Sequence, residues 1–209
     1  MSVYLSFIFT ATLLALTPGP DVLLVVAIAA KEGFNKALQL TLGLANGVVF
    51  HTLLIVLGIS ALIQATPWAM QAIALFGAGY LLYLAWLTWQ HRSEQATAAD
   101  QPKIQGSYYG RGVIMNISNP KVLLFFLALF PQFAQLGEPG YALRIVILGL
   151  LFMLVTVVVF GGLAWLTAKS TQNVMQKPGF KITMDYLTVG IFVLLAGLLL
   201  YSVFQWVHG

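Results

Sequence analysis

Thr17-Pro18-Gly19-Pro20-Asp21 interrupts an otherwise apolar run, with Val3 to Leu16 on one side and Val22 to Ala30 on the other. Two prolines and a glycine remove backbone donors and break a helical ladder. An acidic residue follows at once. In water such a stretch is a turn between two short elements, whereas in a bilayer it is a discontinuous helix. The solvent therefore decides the fold.

Composition supplies the solvent. Of 209 residues, 60% are hydrophobic and 8% charged, and the mean hydropathy is +0.91. A soluble domain carries roughly 25% charged residues, so this chain could not cover its surface in water. It reads as an all-α integral membrane protein whose first partner is the lipid bilayer. A net charge of +4 and a pI near 9.4 would suit nucleic acid. Yet the ten Lys and Arg residues are scattered through short loops with no basic run, which excludes that partner. Without cysteine and with three histidines, neither a metal nor another cofactor is expected. No Lys or Arg precedes the first apolar core, so that segment reads as a retained span and not a secretory signal.

A helix needs about 20 apolar residues to cross ~30 Å of hydrocarbon. Six segments qualify, at residues 3–30, 38–63, 67–90, 112–133, 142–168 and 183–207. Turns are expected at Gln64-Ala65-Thr66-Pro67, with Thr66 as N-cap, and at Pro139-Gly140 and Lys177-Pro178-Gly179. The polar stretch 91–110 divides a single transmembrane domain, 1–209, into halves 1–90 and 111–209. Lys31, Lys36, Arg92, Lys103, Arg111, Lys169, Lys177 and Lys181 all fall in the odd-numbered loops. The positive-inside rule places those loops in the cytoplasm and both termini outside. Trp68, Trp86, Trp89, Trp165 and Trp206 fall toward span ends, as interfacial anchors do. Gly43 and Gly47 lead a series of small residues that let helices approach closely, by default within one protomer. The chain could equally be a monomer or a homodimer.

The fourth span repeats the pattern of the first. Asn119-Pro120-Lys121-Val122-Leu123-Leu124 matches Gly19-Pro20-Asp21-Val22-Leu23-Leu24, 100 residues apart. Each lies in the first helix of a three-helix unit. Three is odd, so the second unit must lie inverted in the membrane. The expected architecture is therefore two inverted three-helix repeats with broken first helices. Lys31 to Asp21 is ten residues and Gly112 to Lys121 is nine. At the helical rise these are ~15 and ~14 Å, which puts both charges near mid-membrane.

Burying either charge there costs roughly 2.5–3.5 kcal/mol on insertion scales. Opposite signs at one depth predict pairing of Asp21 with Lys121. Asp21 has a structural role available, because a carboxylate complements a helix N-terminus, but Lys121 at the same position does not. Thr17 and Asn119 are each placed to cap the half-helix that follows. Irregular backbone at this depth is tolerated only inside protein or beside water, so Pro18, Gly19, Pro20 and Pro120 mark a cavity. Asn46 and His51, beside Gly43 and Gly47, either bond between helices or line the pathway.

On these residues the chain resembles the LysE family of bacterial amino-acid exporters, in the threonine and homoserine branch. Thr17-Pro18-Gly19-Pro20-Asp21 is similar to the family's TPGP element, and Asn119-Pro120-Lys121 with Phe130-Pro131-Gln132-Phe133 to its NPK…FPQF element. Gly33, Gly43, Gly47 and Gly77-Ala78-Gly79-Tyr80-Leu81 also fit, although Ala85 stands where glycine is usual. The resemblance implies a six-span inner-membrane exporter driven by the proton gradient.

The residues themselves suggest how export would work. Two half-helix N-termini converging at mid-membrane attract a carboxylate. Lys121 adds to that site and Asp21 receives an ammonium, so a zwitterionic amino acid matches both. Proton uptake on Asp21 would then complete a cycle of alternating access. A passive channel or a structural subunit is the alternative. An intramembrane hydrolase is disfavoured, since no HExxH, GxSxG or Walker A pattern occurs.

Overall fold

The computed structural model describes residues 2–17, 19–59, 68–90, 106–134, 139–169 and 178–208. Nine α-helices run through them. They are α1 (Ser2–Leu16), α2 (Pro20–Glu32), α3 (Phe34–Leu54), α4 (Ala69–Gln90), α5 (Tyr108–Ile117), α6 (Pro120–Ala128), α7 (Phe130–Ala134), α8 (Tyr141–Lys169) and α9 (Pro178–His208). A π-helical turn, Ile55–Ile59, continues α3. Among the described residues four helices are long and apolar enough to cross a membrane, and up to six spans result if each of two bent pairs counts as one.

Both expected breaks are present. The α1–α2 pair bends by 63° and the pair formed by α5 with α6 and α7 bends by 51°. The cause is the same in each. Pro20 and Pro120 open the second half-helix, where the missing N–H leaves no helical bond unmade. A second interruption, unanticipated, separates α6 from α7 at Leu129. Pro131 there cannot donate, and Gln132 N–H reaches only Leu129 O at 3.1 Å.

Element ends differ from expectation in three places. α3 begins at Phe34, because Gly33 at φ +84° turns the chain directly out of α2. α5 begins at Tyr108, inside the stretch expected to be linker, with Ser107 Oγ accepting from Gly110 N–H at 3.3 Å as its cap. α9 begins at Pro178, so Asp185 lies two turns within the helix. Gly140 takes φ +79° at the expected Pro139-Gly140 turn. The hairpin at 64–67, most of the linker and Lys177 lie outside the described residues.

Packing follows the small residues. α3 crosses α5 and also α8, α1 packs on α8, and α4 packs on α9. At the α3–α5 crossing a Cβ on Gly43 would lie 2.0 Å from Tyr109 O, and one on Gly112 would lie 2.2 Å from Leu40 O. The two backbones touch, so Gly43 and Gly47 serve an interface within one chain, as expected by default. Gly149 makes room for the Thr52 side chain and Gly77 for the Ala128 methyl group. Gly58, Gly79, Gly161, Gly162, Gly190 and Gly197 meet nothing and are not packing positions among the described residues.

A buried aromatic cluster fills the centre between α1, α6, α7 and α8. Phe126 and Phe130 stack with centroids 3.9 Å apart, and Phe7 meets Phe130 edge-on at 5.1 Å. The rings of Phe125 and Phe152 complete it, 5.3 Å apart. Trp68, Trp86, Trp89 and Trp165 are exposed, as anchoring residues would be. The side chain of Trp206 lies outside the described residues.

Candidate functional site

The two breaks meet, and what joins them is Lys121. Its Nζ lies 3.3 Å from Asp21 Oδ2 and 3.4 Å from Oδ1, and it donates to the Thr17 carbonyl at 3.2 Å. Asp21 and Lys121 are 4% and 6% exposed, so both charges are removed from solvent and each satisfies the other. The Thr17 contact answers why a lysine can stand at a helix N-terminus. Its side chain leaves the positive end of α6 and reaches the negative C-terminal end of α1, where a cation is favoured.

Gly19 completes the junction. Its φ of −155° is ordinary extended backbone, so conformation does not require glycine there. Space does. A Cβ would lie 2.6 Å from Asp21 Oδ1 and 3.0 Å from Lys121 Nζ. Glycine admits the ion pair to the break.

The two half-helices are capped differently. Asn119 Oδ1 accepts from Lys121 N–H at 3.0 Å and closes the start of α6, as expected. The expected cap by Thr17 is not made. The Thr17 hydroxyl donates back to Leu13 O at 2.8 Å within α1, a local bond that outcompetes the forward one. The N-cap of α2 is Gly19, and no side chain among the described residues caps it. α2 thus begins beside the pair with no side-chain cap.

Pro20 and Pro120 shape the breaks but have exposed rings, outside the buried pair. Pro18 lies outside the described residues. His51 is fully buried on α3, with Nε2 3.1 Å from Asn116 O and its ring 5.3 Å from that of Phe126. Asn46 is exposed and bonds Tyr109, so the two polar residues of α3 do not share one environment. Sequence reasoning passed over Asn116. It is 4% exposed and lies against Gly47, where an added Cβ would come within 2.6 Å of its Cβ. Its signal was available, as a second asparagine three residues before Asn119 in an apolar span.

At one end of the bundle a further contact ties α5 to the α2–α3 corner. Tyr108 OH donates to Glu32, and Lys36 Nζ sits 5.2 Å from the Tyr108 ring centroid.

Residues 12–203 match the family described as LysE type translocator. The chain belongs to the LysE translocator family. It is a multi-pass membrane translocator and not an enzyme. Among its relatives, the homoserine/homoserine lactone efflux protein of Salmonella typhimurium is 30% identical over 79% of this chain and 81% of its own length. The counterpart from Salmonella typhi is 29% identical over the same shares. An uncharacterized membrane protein of Vibrio cholerae is 28% identical over 91% of this chain and 93% of its own. No solved structure matches. In this LysE translocator the TPGP and NPK elements are therefore the two breaks that Lys121 bridges.

Proposed function

We propose that this translocator exports small amino acids or close derivatives, of homoserine-like size, and that the Asp21–Lys121 junction is its substrate site. The observation that carries the reading is a buried ion pair joining two helix breaks. Charges inside a membrane bundle mark pathways, and broken helices at corresponding positions mark the site. A zwitterion supplies the same two charges in reverse. Its carboxylate would take Lys121 and the uncapped N-terminus of α2, and its ammonium would take Asp21 and the Thr17 carbonyl. Substrate thus replaces the internal pair, and the pair re-forms when substrate leaves. Proton uptake on Asp21 would release the ammonium and couple export to the proton gradient.

Two inverted repeats are supported by packing as well as by sequence. The second helix of one half lies on the first half-helix of the other in both directions, α3 on α5 and α8 on α1. Thr17, Gly19, Pro18, Pro20, Asn119 and Pro120 would shape the site, with access alternating by rocking of the repeats. Inner-membrane placement is what the family resemblance implies, and the basic loops would put both termini outside.

The test is export by cells carrying Asp21→Asn or Lys121→Ala at parental membrane levels. Each variant is expected to lose resistance to excess homoserine or related amino acids. Parental resistance in both would remove the junction from the mechanism. Accumulation above equilibrium in proteoliposomes would separate a driven exporter from a passive channel.

A further inference from the structure

Two faces of α3 meet different surroundings. Gly43 and Gly47 pack inward on α5, while Leu42, Asn46, Val49 and Leu53 all stand exposed. The exposed four are spaced by four, three and four residues, the period of a coiled-coil seam. One member of this otherwise apolar row is an amide.

The depth of that amide decides its meaning. Asn46 is ten residues past Lys36, which lies in the first turn of α3. That is ~15 Å at the helical rise and near mid-membrane. Asn46 and Tyr109 line one groove of about 390 Å³ with Leu42, Met153, Leu154 and Val157, the last three from the middle of α8. The bilayer core holds no water for exposed polar groups. Asn46 Nδ2 donates to Tyr109 OH, and neither side chain has another hydrogen-bond partner among the described residues. The pair therefore presents an unused acceptor, Asn46 Oδ1, and an unused donor, the Tyr109 O–H. Turning the amide over exchanges the roles and still leaves one of each. Hydrocarbon tails can satisfy neither.

We infer that a second copy of this chain covers the groove, in a twofold dimer whose α3 helices cross at Asn46. Two copies share one orientation in a membrane, so their twofold axis runs along the membrane normal and Asn46 meets its counterpart at equal depth. A twofold contact is self-complementary. The acceptor that each Asn46–Tyr109 pair leaves over then meets the donor left over by the other. A single asparagine at such a seam position sets register and oligomeric state, and asparagine side chains bond across helices within membranes. Leu42, Val49 and Leu53, exposed on either side of the amide, supply the apolar remainder of the contact.

The experiment uses the full chain in lipid vesicles, and the absence of native cysteine permits single-cysteine variants. Val49→Cys should form a disulfide-linked dimer on mild oxidation. Phe76→Cys, at a position 78% exposed on α4 and outside the seam, should not. Dyes attached at Phe76→Cys then report the dissociation constant, by energy transfer between copies as they are diluted in lipid. Asn46→Leu removes both symmetric hydrogen bonds and should raise that constant about tenfold or more. Tyr109→Phe removes the hydroxyl alone and should raise it in the same direction. A monomer at every dilution would overturn the proposal. Equal cross-linking from positions 49 and 76, the mark of random collision, would do the same, as would an unchanged dissociation constant in both variants. A monomer in which homoserine slows alkylation of Val49→Cys would assign the groove to substrate instead.

Discussion

Lys121 Nζ lies 3.3 Å from Asp21 Oδ2 across a junction of two half-helices that are 100 residues apart in sequence. Removing one partner of such a pair leaves an uncompensated buried charge, at a cost of about 3–5 kcal/mol, whereas replacing both can be nearly neutral. Asp21→Asn and Lys121→Met should each lower the thermal stability of the detergent-solubilised protein, and the double variant should recover most of the loss. Export should remain absent in all three. Recovery of export with stability in the double variant would mean that the pair is only a fastening.

Gly19 separates the pair's function from its contribution to stability. The atoms a Cβ would meet are Asp21 Oδ1 and Lys121 Nζ, both at the ends of side chains that can move. Gly19→Ala should therefore change stability by no more than about 1 kcal/mol, within the range of ordinary substitutions. It should still push the two charges from their places and reduce the export rate several-fold. Transport kinetics alongside a thermal melt would read both. A parental rate would show that the pair tolerates displacement.

The breaks and their pairing were legible in the sequence because proline and intramembrane charge are strong local signals. Pro20, Asp21, Pro120 and Lys121 carry their physical consequences wherever they are placed. The partners of Lys121 were only half legible. Opposite charge at equal depth predicted Asp21, but the Thr17 carbonyl is a backbone group and has no residue signature. Thr17 itself was misjudged because a mid-membrane hydroxyl has two backbone acceptors in reach and the nearer one, Leu13 O, is within its own helix. His51 and Asn46 could not be assigned from helix periodicity alone. They lie five residues apart on α3, and only the crossing with α5 decides that one is buried and the other exposed.

The glycines of the spans divide by what surrounds them, and stability should divide in the same way. At Gly43 an added Cβ meets backbone, Tyr109 O at 2.0 Å and Gly112 Cα at 3.1 Å, and neither can yield without moving a helix. Gly43→Ala should cost at least about 1–3 kcal/mol, the range for overpacking. Gly161 meets nothing, and there alanine should gain up to about 1 kcal/mol from helix propensity. Melting of the two purified variants in one detergent compares them directly. Equal effects would mean that α3 and α5 do not cross as closely as their backbones indicate.

Tyr108 and Glu32 close the bundle at the end where α2 finishes and α5 begins. The contact is exposed, and a hydrogen bond of that kind is worth about 0.5–1.5 kcal/mol, with the Lys36 cation adding about 0.5–1 kcal/mol. Fastenings of this size hold one state without locking it, which alternating access requires. The absence of native cysteine makes the consequence measurable. A single cysteine at Thr17, which is fully buried, should react slowly with a membrane-impermeant thiol reagent. Adding Tyr108→Phe or Glu32→Gln should raise the labelling rate by about the tenfold that 1.4 kcal/mol represents, and only from the face that carries Lys31 and Lys36. Faster labelling from the opposite face would place the gate at the aromatic cluster of Phe7, Phe126 and Phe130 instead.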